Sequence, residues 1–212
     1  MPANDKETAA RILAASSLAR DMNEEDVEEL LAQLHRAWNT ALDVIAEELP
    51  ESSAAPFLGG HSFGAALAAV AVLRRAASPT GVVLRSGAYD RYTTPGGFEH
   101  DNRTVASAPD LYGAMTVLPQ AHAHRGIPFL ITCGDSDENS ATTPQQSLTL
   151  YENLVLCGAD ATLAVFPGEG HGFRIDSNIR RALEAELSFY AQVWGLDSPE
   201  EYRDAIRVEN LD

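Results

Sequence analysis

The sequence predicts an α/β fold in which a parallel sheet of about four strands follows an N-terminal helical segment. From residue 56 onward, short apolar runs alternate with helical patterns, which is typical of βαβ units. Before that point, the apolar residues recur at helical spacing instead. A chain of 212 residues favours one well-buried core over two full domains. We therefore divide it into a helical segment at 1–50 and an α/β domain at 51–212.

The helical segment is predicted from a regular apolar pattern that ends at Pro50. Asn23 can cap this helix, and the acidic residues that follow it complement the helix dipole. A shorter helix is predicted at about 6–20, and Arg11 within it argues against a signal sequence. The apolar pattern of the longer helix consists of Val27, Leu30, Leu31, Leu34, Trp38, Leu42, Ile45 and Leu49.

The α/β domain is predicted to contain four strands and three helices. The strands lie at about 56–58, 81–85, 128–133 and 161–166, and the helices at about 62–75, 143–157 and 177–194. The segment at 89–120 is rich in Gly, Pro, Thr and Asn, so we expect an irregular region above the sheet. Insertions at this position often shape a substrate pocket.

The charge and the cysteines limit the partners and the compartment. The formal net charge is −16, which would repel phosphates, so we expect neither nucleic acid nor an anionic membrane as a partner. No stretch of the sequence approaches a membrane span. Cys133 falls in an apolar run and Cys157 near the end of a predicted helix, which favours two buried thiols over a disulfide. A reducing compartment fits these thiols, and we predict a cytoplasmic location.

The segment Gly60-His61-Ser62-Phe63-Gly64 has the Gly-x-Ser-x-Gly pattern of a nucleophile elbow. In such a turn the serine is held in a strained conformation, and we expect both glycines to provide room for two backbones that nearly touch. The same pattern also occurs in tight turns that have no catalytic role. Its position between a predicted strand and a predicted helix favours the elbow.

Candidate catalytic residues follow three of the predicted strands. Ser62 follows the first strand, an acidic loop with Asp135 and Asp137 follows the third, and His171 lies in a Gly-rich loop after the fourth. Open parallel sheets place their sites at these strand ends. The order Ser, Asp, His is the one expected of α/β-hydrolases. The sequence therefore predicts an α/β-hydrolase-like catalytic domain.

The chemistry assigns a role to each of these side chains. A serine hydroxyl needs an imidazole to accept its proton, and the imidazole needs a carboxylate to fix its tautomer. We predict Ser62 as the nucleophile, His171 as the base and then the acid, and Asp137 as the carboxylate. Asp135 is the alternative carboxylate because it lies closer to the strand end. The backbone N–H of Phe63, at the start of a helix, is predicted to bind the oxyanion.

No cofactor or metal is predicted, because every competing motif is incomplete. Ser140 stands where a calcium loop needs Gly, and Phe173 stands where a dinucleotide fingerprint needs Gly. Ala65 replaces the essential Lys of a phosphate loop. His122 and His124 have no Cys or carboxylate partner at ligand spacing.

Four segments carry a family resemblance, and they span about residues 55–195. They are GGHSFGA at 59–65, RSGAYDRYTTPGGFEHDNRT at 85–104, GDSDENSATTPQQS at 134–147 and FPGEGHGF at 166–173. With these segments the chain resembles the catalytic domain of prolyl oligopeptidase-type serine peptidases, and most of all their glutamyl endopeptidase and dipeptidyl-aminopeptidase-like branches. The resemblance implies hydrolysis of peptide or related acyl bonds, with Ser62, Asp137 and His171 as the triad, and so favours Asp137 over Asp135.

The resemblance also implies candidate substrate-binding residues. The preference of one branch for Glu would require cationic residues near the pocket, and Arg85, Arg91 and Arg103 are the candidates. The alternative role of these arginines is ordinary ion pairing within loops.

The chain departs from the family pattern before the nucleophile. Family members carry a β-propeller and several sheet strands upstream of the serine, whereas this chain has only 61 residues before Ser62, mostly helical in prediction. We therefore expect a truncated domain that lacks the upstream Tyr-containing loop, a second oxyanion donor in relatives. Its exposed sheet edge would be covered by the N-terminal helices, a second copy or another chain, or else the sequence is a fragment.

Two functions remain open at this point. The first is a serine hydrolase that acts on a peptide or small acyl substrate. The second is a catalytically weak or inactive subunit that acts through homo- or hetero-oligomer assembly.

Overall fold

The computed structural model describes residues 24–48, 56–93, 106, 109–124 and 126–196. The predicted helix at 6–20, the Asn23 cap and Arg103 lie outside the described residues. Within them, the chain forms a parallel four-stranded sheet with helices on both faces, which confirms the predicted α/β class.

The strands are β1 (Leu58–His61), β2 (Val82–Arg85), β3 (Phe129–Gly134) and β4 (Ala161–Phe166). They lie in the order β1-β2-β3-β4, and each neighbouring pair is parallel. The helices are α1 (Glu24–Glu48), α2 (Phe63–Leu73), α3 (Pro109–Met115), α4 (Pro144–Leu156) and α5 (Asp176–Val193), with a 3₁₀-helix at Leu118–His124. Because the strands are parallel, the loops that follow β1, β3 and β4 all lie at the carboxyl end of the sheet.

The first strand differs from its prediction. We expected it to end at Leu58, but β1 begins there and continues to His61, directly before the elbow. Gly59 and Gly60 lie beyond the apolar run that located the predicted strand, and in the structure they are places of close backbone approach. A Cβ on Gly59 would lie 3.2 Å from the carbonyl oxygen of Val83, and a Cβ on Gly60 would collide with the backbone after the elbow.

The two faces of the sheet carry separate apolar layers, because successive strand residues point to opposite sides. Leu84 and Ile131 belong to the larger layer, which includes α2 and α4. Val83 and Leu130 pack with Phe189 of α5 on the other face. The sheet is therefore the middle of three layers, and both helical layers help to position its carboxyl end.

Helix α2, which follows the elbow, is buried along most of its length. All residues at 65–73 are buried, and five of these nine are Ala. Small side chains let a helix approach the sheet closely and be surrounded by other elements. The start of α2, next to Ser62, is therefore held in place by the core rather than by a surface contact.

Helix α1 confirms the predicted long helix and packs on α2. Leu34 and Trp38 contact the apolar cluster formed by Ala71, Ala76 and Ala77. His35 Nδ1 lies 3.0 Å from the carbonyl oxygen of Ala76. In the described part of the chain, no strand pairs with the free edge of β1.

The predicted irregular region contains two short helices, α3 and the 3₁₀-helix. Its beginning is held by Gln146 of α4, whose Oε1 accepts hydrogen bonds from the N–H groups of Tyr89 and Asp90 at 2.8 and 2.7 Å. The Nε2 of the same side chain donates to Asp90 O and Thr93 Oγ1. The region therefore has a fixed starting point above the sheet.

The two cysteines differ in exposure. Cys133 of β3 is buried, as predicted, and burial raises the pKa of its thiol to about 11. Cys157 is exposed, so the prediction of a second buried thiol is wrong. It lies just after α4, where Leu156 is also exposed, because this end of the helix faces solvent.

The described helices also bear on membrane insertion. None of them is both long enough and apolar enough to cross a bilayer.

Candidate active site

Ser62 occupies the sharp turn between β1 and α2. Its φ of 58° and ψ of −124° are rare for a residue with a side chain, and such strain is often found at functional turns. Its N–H donates to Arg85 O of β2 at 2.9 Å, so the sheet itself holds the turn. The strand, the turn and the helix thus have the arrangement of a nucleophile elbow.

The two glycines of the elbow are not equivalent. A Cβ on Gly60 would lie 2.3 Å from the carbonyl carbon and oxygen of Gly64, a distance that no side chain tolerates. A Cβ on Gly64 would meet no atom within 4 Å. The prediction that both glycines provide room is therefore correct for Gly60 and wrong for Gly64.

The structure brings Ser62, His171 and Asp137 into one hydrogen-bonded row. His171 Nε2 lies 2.9 Å from Ser62 Oγ, and His171 Nδ1 lies 2.9 Å from Asp137 Oδ2. The Asp137 side chain is fully buried, whereas the His171 side chain is 31% exposed. Because a carboxylate can only accept, Nδ1 carries the hydrogen in this arrangement, and Nε2 can accept the hydroxyl hydrogen of Ser62.

Asp135, the alternative carboxylate, has other partners. Its Oδ1 accepts hydrogen bonds from Ser136 Oγ and from the N–H of Gly168, both at 2.7 Å. Asp135 therefore joins the loop after β3 to the loop after β4, while Asp137 reaches His171.

Asp137 has two further donors, and one of them is a residue that sequence reasoning missed. The N–H of Asn139 donates to Oδ1 at 3.0 Å, and Thr142 Oγ1 donates to Oδ2 at 3.0 Å. Thr142 Oγ1 also lies 2.9 Å from His171 Nδ1. No spacing rule identifies this threonine, because its contact depends on how the loop after β3 folds back.

The loop that carries His171 is held from two sides. His61 Nε2 lies 2.8 Å from the carbonyl oxygen of His171, and the two rings are 4.7 Å apart. Glu169 is only 1% exposed, and its carboxylate accepts the N–H groups of Arg174 and Ile175 at 2.7 and 2.9 Å. Both residues lie in recognised motifs, but nothing in the sequence alone indicated these contacts.

Glu169 is a buried carboxylate that remains ionised. Desolvation raises its pKa, but the backbone hydrogen bonds from Arg174 and Ile175, together with a hydrogen bond from Asn178 and the charge of Arg174, more than offset this and hold the pKa below its ordinary value. The loop approaches β3 so closely that a Cβ on Gly134 would lie 2.1 Å from Glu169 O. The position of His171 is therefore fixed by backbone packing as well as by its ring contacts.

The predicted oxyanion donor lies at the N-terminus of a helix. Phe63 is the first residue of α2, so its N–H has no intrahelical partner four residues earlier. The positive end of the helix dipole favours negative charge at this point. An oxyanion formed by attack of Ser62 Oγ would lie beside Ser62, and so close to the N–H of the next residue, Phe63.

Two open clefts flank His171. One, of about 390 Å³, is the more polar of the two and is lined by residues that include Glu138 and Arg174. The other, of about 270 Å³, is more apolar and is lined by residues that include Phe173 and Leu183. Either cleft can take a substrate group that extends away from the reacting bond.

The three arginine candidates lie in different places. Arg85 lines the smaller cleft, but its guanidinium forms a two-pronged ion pair with Glu186, the arrangement of the ion-pair alternative. The hydrogen bonds that Arg85 donates to the Glu186 carboxylate raise the pKa of the guanidinium. Arg91 is 5% exposed, its N–H donates to Thr116 Oγ1, and it lines neither of the two clefts. Arg103 lies outside the described residues.

The two histidines considered as metal ligands have other surroundings. His124 Nδ1 accepts the N–H of Gly126 at 2.9 Å, and its Nε2 lies 3.4 Å from Cys157 O. His122 is exposed on the same 3₁₀-helix. Across the described residues, no group of three or more His, Cys, Asp or Glu side chains is arranged to hold a metal ion.

With this geometry in place, comparison with known proteins identifies the family. Residues 40–197 match the profile of the prolyl oligopeptidase family of peptidases. The chain belongs to this family. The match includes the elbow, the acidic loop and the His171 loop, so the resemblance seen in the sequence is confirmed.

Two curated relatives of this family member come from plants, and each is named a probable chloroplastic glutamyl endopeptidase. The relative from Oryza sativa subsp. japonica is 32% identical over 148 residues, which cover 68% of this chain and 16% of the relative. The relative from Arabidopsis thaliana is 31% identical over 163 residues, which cover 77% of this chain and 16% of the relative. The chain therefore spans about one sixth of the length of the curated relatives it matches.

Two solved structures of similar fold are named a hydrolase and a peptidase. Puromycin hydrolase is 28% identical with a TM-score of 0.63, and the match covers 81% of this chain and 26% of the other. An acylaminoacyl peptidase in complex with Z-Gly-Gly-Phe-chloromethyl ketone has a TM-score of 0.63 at 16% identity, covering 86% of this chain and 30% of the other. The second likeness shows the shared fold alone, and it agrees with the α/β-hydrolase-like class predicted from the sequence.

Proposed function

We propose that this chain is a serine hydrolase that cleaves peptide or related ester and acyl bonds through a covalent acyl-serine intermediate. The single observation that carries the proposal is the hydrogen-bonded row from Ser62 Oγ through His171 to Asp137 Oδ2, at 2.9 Å for each step. Membership of a serine peptidase family supports the same reaction class.

The proposed mechanism begins with proton transfer within this row. His171 Nε2 accepts the hydroxyl proton of Ser62 as Oγ attacks the acyl carbon, and Asp137 stabilises the imidazolium that forms. The Phe63 N–H donates to the developing oxyanion. The bond to the leaving group then breaks, and His171 gives its proton to the leaving amine or alcohol.

A water molecule completes the reaction in the reverse sense. His171 Nε2 takes one proton from water while the water oxygen attacks the acyl carbon of the intermediate. The bond to Ser62 Oγ breaks, and His171 returns the proton to the serine as the acid product leaves. The sequence of steps balances without a cofactor or a metal ion.

The substrate class follows from the clefts and the family. A peptide or a small acyl compound can place one group in the apolar cleft beside Phe173 and another in the polar cleft beside Arg174. A preference for Glu, as in the names of the plant relatives, would require a cation that is available to the substrate. Of the three arginine candidates, Arg85 is already paired with Glu186, Arg91 lines neither cleft, and Arg103 lies outside the described residues. We therefore propose peptide and acyl substrates as a class, without a preference for Glu.

Labelling with a fluorophosphonate probe tests this proposal, because the probe reacts with activated serines. We expect the wild-type chain to be labelled at Ser62, as mapped by mass spectrometry, and Ser62→Ala to remain unlabelled. Ser177→Ala is the matched control, since Ser177 is an exposed serine away from the row, and it should label like the wild type. Labelling that survives Ser62→Ala would overturn the assignment of the nucleophile.

The second candidate function is a weakly active or inactive subunit that works through assembly. It is favoured by the edge of β1, which pairs with no strand among the described residues, because a free edge can accept another chain. Absence of labelling, together with a concentration-dependent dimer or larger complex in light scattering, would favour this function over hydrolysis.

A further inference from the structure

We propose that Thr142 is a positioning residue whose hydroxyl holds Asp137 and His171 in the geometry and tautomer that the reaction needs. This inference rests on the proposed hydrolase function. It assigns to Thr142 a role in orienting the base, with no contact to the substrate.

Three polar atoms form a closed triangle beside the imidazole. Thr142 Oγ1 lies 3.0 Å from Asp137 Oδ2 and 2.9 Å from His171 Nδ1, and the third side, from Nδ1 to Oδ2, is 2.9 Å. Thr142 is 2% exposed and the Asp137 side chain is fully buried. Water therefore has little access to the Asp137 carboxylate on this side, and the Thr142 hydroxyl supplies a hydrogen bond to it there.

Only two hydrogens are available for the three sides of this triangle. The carboxylate has none, the hydroxyl has one, and Nδ1 has one in the tautomer that leaves Nε2 as the acceptor. The hydroxyl hydrogen goes to Asp137 Oδ2, because a hydrogen bond to a charged acceptor is the stronger choice. The Nδ1–H of His171 then faces two oxygen acceptors, one on Asp137 and one on Thr142.

This arrangement makes the wrong tautomer unfavourable. If Nδ1 lost its hydrogen, its lone pair would face the Asp137 carboxylate. The single hydrogen of the Thr142 hydroxyl could then bond either to Nδ1 or to the carboxylate, and the other acceptor would lack a donor. With Nδ1–H present, all three atoms are satisfied and Nε2 is directed to Ser62 Oγ at 2.9 Å. Thr142 therefore adds a second acceptor that keeps the proton on Nδ1, beyond the one that Asp137 provides.

The fold of the loop does not require this hydroxyl. The turn at 139–142 is closed by backbone and amide contacts, with the N–H of Thr142 donating to Asn139 O and the N–H of Ala141 donating to Asn139 Oδ1, each at 3.0 Å. The hydroxyl makes its contacts with Asp137 and His171 instead. A β-branched side chain also has few χ1 rotamers, so Oγ1 is held in one direction.

The test compares three variants with the wild type. Thr142→Val keeps the shape of the side chain and removes the hydroxyl, Thr142→Ser keeps the hydroxyl, and Thr143→Val is the matched control. Thr143 is the neighbouring residue at the start of α4, and its side chain makes no capping hydrogen bond. The rate constant for fluorophosphonate labelling of Ser62 and the far-downfield proton resonance of His171 Nδ1–H are measured for each protein.

We expect Thr142→Val to label about 10- to 100-fold more slowly, the effect of losing a hydrogen bond to a charged group. Its Nδ1–H resonance should shift or disappear. Thr142→Ser should recover most of the rate and keep the resonance, and Thr143→Val should match the wild type in both. Labelling of Thr142→Val at the wild-type rate with an unchanged resonance would overturn the inference.

The resonance separates failure of this inference from failure of the proposed function. If the wild type does not label at all, the hydrolase proposal fails, while a resonance lost in Thr142→Val and kept in Thr142→Ser still supports the positioning contact. Should Thr142→Val unfold, the same two measurements on Thr142→Ala decide the question. A folded Thr142→Ala with wild-type rate and resonance would contradict the role of the hydroxyl.

Discussion

At the scale of single residues, the site depends on contacts that look alike in sequence and differ in space. Gly60 and Gly64 occupy symmetric positions around Ser62, yet only Gly60 faces a backbone at 2.3 Å from its missing Cβ. Asp135 and Asp137 are two residues apart, yet only Asp137 reaches His171. The chemistry of a residue type therefore identifies candidates, and the backbone path decides among them.

The two glycines of the elbow give a paired prediction. Gly60→Ala should destabilise the protein by about 3 kcal/mol or more, at or beyond the upper end for overpacking, because the new methyl group meets backbone that cannot move aside. Gly64→Ala should change the stability by less than about 1 kcal/mol, since its methyl group would enter open space at the start of a helix. Urea denaturation of both variants measures the difference, and equal losses of stability would contradict the elbow geometry.

At the scale of elements, the site is built where the loops after β3 and β4 close on each other. The Asp135 carboxylate, in the loop after β3, accepts the N–H of Gly168 in the loop after β4. The Glu169 carboxylate accepts the N–H groups of Arg174 and Ile175, the two residues before α5. Gln146 of α4 holds the beginning of the region at 89–93 in the same way. Polar side chains, of which Glu169 and Gln146 are buried and Asp135 is exposed, thus fix these loops in place of regular secondary structure.

The carboxylate of Glu169 gives a prediction for the His171 loop. Glu169→Gln should lower Tm by several degrees at neutral pH, because one of the two backbone N–H groups then meets an amide donor instead of an oxygen. The pKa of Glu169 is held below its ordinary value of 4.5, so the carboxylate stabilises the fold above that pH and loses its effect as the pH falls. The Tm difference between variant and wild type should therefore shrink in acid.

Glu138→Gln is the control for this measurement, since Glu138 is an exposed carboxylate in the neighbouring acidic loop. It should leave Tm nearly unchanged at neutral pH. A Tm for Glu169→Gln that equals the wild-type value across the pH range would show that the carboxylate does not hold the loop.

The elements themselves were largely predictable from sequence, and the exceptions have physical reasons. Strands β2, β3 and β4 and helices α1, α4 and α5 follow directly from apolar periodicity. Strand β1 was placed too early because the apolar run ends at Leu58 and glycine is rare in strands, whereas this strand continues through Gly59 and Gly60 at a place of close backbone approach. The contacts of Gln146 with Tyr89 and Asp90, and of Thr142 with His171, could not be found because the partners are distant in sequence. Glu169 binds residues only five and six positions away, but that contact depends on how the loop folds back, which no spacing rule predicts.

At the scale of the whole molecule, the parallel sheet explains why three distant residues can form one site. Ser62, Asp137 and His171 follow β1, β3 and β4, respectively. In a parallel sheet the carboxyl ends of all strands lie on the same side, so the three residues come together there. The parallel sheet and the α/β-hydrolase-like class were predictable from the alternation of strands and helices and from the order of the motifs along the chain, and the family from the motif segments themselves. The order of the strands within the sheet was not predicted. The division into a helical segment at 1–50 and a domain at 51–212, and the cytoplasmic location, stay predictions.

The central claim is that His171 activates Ser62 for attack on an acyl carbon. The most direct measurement is the rate constant at which a fluorophosphonate modifies Ser62 in the wild type and in His171→Ala, with folding of both checked by circular dichroism. We expect His171→Ala to react at least about 10³-fold more slowly while remaining folded. A folded His171→Ala that reacts within about tenfold of the wild type would contradict it.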